Sequence, residues 1–72
     1  MNRGFQLYDV VTLTEDLPPQ GLVRGQVGTI VEQYSPDALE VEFVDNSGYT
    51  YALVTLKSRQ LLVLQYEPAQ AA

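Results

Sequence analysis

Apolar residues recur at every second position in several short runs of the chain, which is the period of half-buried β-strands and not of helices. The clearest run covers residues 39–44, where Leu39, Val41 and Phe43 alternate with Glu40 and Glu42. Residues 7–13 are rich in β-branched and aromatic side chains and put Leu7, Val11 and Leu13 on one pleat face. Further strands are predicted over residues 27–34, from residue 49 to 54 or 56, and over residues 61–64. The punctuation between them is equally local. Pro18 and Pro19 argue against helix and ladder alike, so residues 15–21 read as a long loop with polyproline character. Ser35-Pro36-Asp37 forms a turn, and Asp45-Asn46-Ser47-Gly48 is a hairpin signal because Asn and Gly tolerate positive φ. Lys57-Ser58-Arg59 is a short break that fits a single helical turn.

Five short strands with a long first loop, a tight third hairpin and a one-turn break before the last predict an all-β fold. The expected architecture is a small five-stranded antiparallel SH3-like barrel over residues 1–66, followed by a disordered C-terminal tail over residues 67–72. An OB-fold carries a helix between its third and fourth strands, and only residues 45–48 occupy that gap here. The expected core is Leu7, Val11, Leu13, Val27, Ile30, Val41, Phe43, Leu53, Leu62 and Leu64.

Composition narrows the chemistry more than the fold. A chain of 72 residues holds one small core, so most large apolar residues have packing work before any other. With 46% hydrophobic and 18% charged residues the balance is globular. There is no Cys and no His, which removes disulfides, thiolate chemistry, the commonest metal ligand and the commonest general base. Nine acids against four bases give a formal charge of −5. The opening residues lack the apolar core of a signal peptide. The longest aliphatic run, residues 61–64, is far short of the roughly 20 residues of a membrane helix. A cytoplasmic protein with no membrane association is expected.

The segment Gly25-Gln26-Val27-Gly28-Thr29-Ile30-Val31-Glu32, followed by Glu40-Val41-Glu42-Phe43-Val44-Asp45 and Gly48, resembles the glycine-then-apolar signature of several small barrels. KOW motifs, an SH3-like photosystem I subunit and the variable chain of ferredoxin–thioredoxin reductase carry similar segments. Gly25 and Gly28 are read as points where a Cβ would clash with a curved strand. Over about 60 residues, from Phe5 to Leu64, the chain resembles a short bacterial family of unknown function, numbered four-nine-two-six. The residues that carry this likeness are Leu7 to Pro18, Gly28-Thr29-Ile30-Val31-Glu32, Val41-Glu42-Phe43 and Tyr51-Ala52-Leu53. The resemblance implies a stand-alone SH3-like barrel, often encoded beside a second small gene in the manner of a toxin–antitoxin or other partner pair. It implies no catalytic residues.

The residues themselves bear on four classes of chemistry. Glu40 and Glu42 share a strand face at roughly 7 Å spacing, as paired acid–base carboxylates do, and also as a solvated outer face does. A barrel this small fills its interior with side chains, so no enzyme activity and no cofactor are expected. Asp37, Glu40, Glu42 and Asp45 are oxygen donors without the spacing of a calcium loop, and no metal site is expected. A KOW-type nucleic-acid-binding barrel is the alternative function, resting on Arg3, Arg24, Lys57 and Arg59, with the −5 field opposing polyanions. Protein binding is the favoured reading, because five tyrosines exceed what so small a core takes in. Tyr8 and Tyr34 fall on faces opposite the core, with Glu32 and Glu40, while Tyr49 and Tyr51 flank the hairpin. The expected partner surface is therefore Tyr8, Tyr34, Glu40, Glu42, Tyr49 and Tyr51, an acidic module for a protein with a basic surface. An antitoxin, inhibitor or accessory-subunit role is the concrete form, and a homo-oligomer through exposed strand edges stays open.

Overall fold

A computed structural model of the chain describes residues 4–65. Its elements are β1 (Val10–Leu13), a 3₁₀ turn at Pro18–Gln20, β2 (Val27–Ser35), β3 (Ala38–Val44), β4 (Thr50–Lys57), a second 3₁₀ turn at Ser58–Gln60 and β5 (Leu61–Val63). All pairings are antiparallel, and the five strands make one sheet in the order β4-β3-β2-β1-β5. The first four strands form a meander and the fifth returns beside the first, an all-β arrangement compatible with the expected small SH3-like barrel. The sheet is open, with β4 and β5 at its edges. Arg3, Tyr66 and the tail expected over residues 67–72 lie outside the described residues.

The long strand β2 joins the two halves. Its first residues pair with β1 and its later ones with β3, and register shifts between Ile30 and Glu32 and between Gln33 and Ser35 bend it. Gly28 is what lets β3 cross close behind it. A Cβ there would lie 2.7 Å from Val41 Cγ1 and 2.9 Å from the Glu42 carbonyl oxygen. Gly25 serves a different purpose from the one expected. Nothing lies near its missing Cβ, and it is its φ of +93° that asks for glycine.

Among the described residues ten hydrophobic side chains form the core: Val11, Leu13, Leu17, Leu22, Ile30, Leu39, Val41, Phe43, Leu56 and Leu61. Among the described residues no buried side chain is polar or charged. Half of the expected core is therefore corrected. Leu53 and Leu62 are exposed because the pleat phase in β4 and β5 is one residue away from that assumed, so Leu56 and Leu61 turn inward; Val27 is exposed because Gly28, not Val27, is in phase with the buried Ile30. Leu7 is exposed because it precedes β1, and Leu64, after β5, is only half-buried.

The proline loop is also more structured than expected. Pro18 and Pro19 open a 3₁₀ turn, where the missing N–H groups need no partner. That turn closes a small bridge in which Leu17 and Leu22 each donate an N–H to the other's carbonyl, at 2.9 and 3.2 Å. The bridge drives both leucines into the core, so residues 14–26 cap one end of the fold instead of hanging free.

Candidate functional site

The outer face of β2, β3 and β4 gathers the carboxylates. Register places Glu32 of β2 directly opposite Glu40 of β3, and Glu40 opposite Thr55 of β4. Glu42 lies between Thr29 and Leu53 in the next outer row. The inner residues of β3 are fully buried, so Glu40 and Glu42 are held outward by the packing of Leu39, Val41 and Phe43. Glu40 Oε1 accepts from the Thr55 hydroxyl at 2.7 Å and from the Tyr34 hydroxyl at 3.2 Å. Glu42 Oε2 accepts from the Thr50 hydroxyl at 2.5 Å. These hydroxyls fix where the charges point without neutralising them.

Two titrations reflect the arrangement. The Tyr34 phenol is raised above its ordinary value, first by its bond to Glu40, then by desolvation and by the charges of Glu40 and Glu32. Asp37, in the β2–β3 turn, is lowered, first by the Ser58 hydroxyl at 2.7 Å, with the Ser58 N–H, Lys57 and Arg59 assisting. Lys57, the single base in β2, β3 and β4, thus lies near Asp37 at the end of β4.

Of the six residues expected at a partner surface, the structure brings together Tyr34, Glu40 and Glu42. The other tyrosines are scattered. Tyr49 is three-quarters exposed beyond the hairpin turn, its N–H bonded to Asp45 Oδ1 at 3.0 Å. Tyr51 sits where the β3–β4 register shifts, and its ring lies 6.2 Å from that of Phe43 while its hydroxyl accepts from Gln26 Nε2 at 3.1 Å. It is a lid on the core edge. Tyr8 lies ahead of β1 in a turn, not on a strand face, with a left-handed φ of 71°. Its N–H and the Asp9 carbonyl both bond Ile30, so two residues oppose one in the manner of a bulge whose first position usually takes Gly. A tyrosine there is strained and 71% exposed, opposite Ile30, which lies two residues before Glu32 on β2.

Sequence reasoning missed Thr50 and Thr55, which orient the carboxylates, and Leu53, which stands exposed beside Glu42. Strand register was the missing signal. Asp37 and Asp45 are occupied structurally, by Ser58 and by the hairpin's own N–H groups. Among the described residues no group of three or more acidic side chains stands close enough to hold a metal ion. No helix among them is long and apolar enough to cross a membrane.

No curated protein and no solved structure matches the chain. A family model does match, over residues 7–63, which takes in all five strands. The chain belongs to the family described as a domain of unknown function, DUF4926.

Proposed function

We propose that this chain is a non-enzymatic protein-interaction module whose outer β2–β4 face receives a basic partner surface. The observation that carries this reading is the Glu32–Glu40 pair. Like charges directly opposite on neighbouring strands destabilise a sheet, and no base of these three strands stands between them. A cationic partner would relieve that repulsion, and local rules broken without local compensation tend to mark working surfaces. Tyr34, tethered to Glu40 and 60% exposed, supplies the amphipathic contact area that interfaces favour, and the strained Tyr8 flanks the same strand. The acidic rim would speed encounter as well as hold the complex. A partner encoded by a neighbouring gene, inhibited or assisted by this chain, is the form that the family resemblance favours.

Affinity capture from the native host with the intact chain, followed by mass spectrometry, tests the reading. A protein with a basic surface should be recovered in stoichiometric amount, and Glu40→Lys with Glu42→Lys should lose it. Recovery of RNA dependent on Lys57 and Arg59 would replace this reading with the nucleic-acid one.

A further inference from the structure

An open sheet leaves two edges, and they differ. The β5 edge is three residues long. The β4 edge runs eight residues, and from Thr50 to Leu56 it has no charge and no proline. Soluble proteins guard such edges with lysines, prolines, mid-strand bulges or covering segments. Here the register irregularity sits at the very start of β4, and Lys57 sits at its end.

Which backbone groups face outward follows from one hydrogen bond. Ser58 donates its N–H to the Asp37 carbonyl at 3.3 Å, continuing the register that pairs Ala38 with Lys57. Bonded and unbonded pairs alternate along an antiparallel ladder. Leu56 and Val54 therefore bond toward β3, and Leu53 and Thr55 point their N–H and C=O groups at the open edge.

We propose that β4 pairs with itself: two copies of the chain join antiparallel through β4 about a two-fold axis at Leu53, fusing two five-stranded sheets into one. The register matches around the axis on both faces. Leu53 meets the second copy's Leu53 on the outer face, where it is now 57% exposed. Ala52 meets Val54 on the inner face, and both are partly buried against the core already. The outward N–H and C=O of Leu53 fall opposite their own counterparts, as a bonded pair requires. A second copy is favoured over a foreign strand because the body of β4 has no charge with which to select an acidic or basic segment. Its pattern complements itself, and a two-fold contact closes without leading to a fibre. The acids of β2 and β3 stay exposed on the joined sheet, so this dimer goes beyond the basic-partner reading and does not compete with it.

Charge gives the dimer a signature. Each copy carries −5, so screening should strengthen self-association, whereas binding of a basic partner weakens with salt. Sedimentation of the wild-type chain across concentration and ionic strength, combined with amide hydrogen exchange, tests the proposal. The expected result is a mass that rises to two chains with concentration and with salt, and slowed exchange at the Leu53 and Thr55 amides. Leu53→Lys should abolish the dimer, and Leu62→Lys, the same change on the β5 edge, should retain it. A monomer under all conditions, an open-ended oligomer, or a dimer whose Leu53 and Thr55 amides stay unprotected would overturn the proposal. The exchange arm uses the unaltered chain, so it decides even where Leu53→Lys does not fold.

Discussion

Strands β3 and β4 lie side by side and differ by one residue in length, yet they are built on opposite terms. In β3 the inner residues Leu39, Val41 and Phe43 are wholly buried, while outside Glu40 is hydrogen-bonded to β2 and β4 and Glu42 to β4. In β4 only Leu56 is buried, Ala52 and Val54 are half-buried, Leu53 stands in solvent, and Tyr51 is half-exposed against Phe43. A strand with neighbours on both flanks has each side chain's environment set twice. An edge strand has it set once. The central strand therefore supplies cohesion and presents charge, while the edge retains apolar surface and unbonded backbone for other uses.

The two strands should differ most at Phe43 and Leu53. Phe43→Ala should cost about 3–5 kcal/mol, as much as the roughly 3–5 kcal/mol that a single core supplies in a domain of this size. Urea unfolding should show the variant largely unfolded at ambient temperature. Leu53→Ala, measured in dilute solution, should stay within about 0.5 kcal/mol of wild type. A large loss at Leu53 would mean that the edge is as deeply packed as the centre.

A second break comes from behind β3. Gly28→Ala forces a methyl group against the Val41 side chain and the Glu42 carbonyl oxygen, and the backbone atom cannot swing aside. Overpacking of this kind costs about 1–3 kcal/mol, read as a lowered melting temperature with an unchanged strand-type circular dichroism spectrum.

The smallest expected effect sharpens the contrast at the far end of the two strands. Asp37 ties the β2–β3 turn to the 3₁₀ turn after β4 through Ser58, and its carboxyl titrates below its ordinary range. A lowered native pKa means that the tie contributes above the unfolded aspartate value. That contribution is lost as pH falls through the depressed one. Ser58→Ala should therefore be slightly less stable than wild type at neutral pH, with the difference vanishing in acid. Parallel urea titrations along the pH series check it.

These contrasts also explain what could be read from the chain alone. Strand number, order and the turn at Asp45 to Gly48 were legible because alternation and turn residues are local signals. The inner face of β3 was legible because Glu40 and Glu42 leave only one phase open. Leu53 and Leu62 were misassigned because β4 and β5 are apolar on both faces, so the pattern has no phase of its own. Leu17 and Leu22 were hidden because they reach the core through a bridge across the proline loop and not through a period. The carboxylate cluster was half legible: Glu40 and Glu42 declared themselves, but the facing of Glu40 with Glu32 and Thr55, and the reach of Thr50 to Glu42, depend on register. The contact of Tyr51 with Phe43 was not legible, because the register shift beside it has no composition signal.

The central claim, that the outer carboxylates steer a basic partner, is tested most directly by the association rate with the captured partner as a function of ionic strength. For the wild-type chain the rate should fall steeply as salt rises, and for Glu40→Lys with Glu42→Lys it should start lower and vary little. Equal rates and equal salt slopes for the two proteins would contradict the claim.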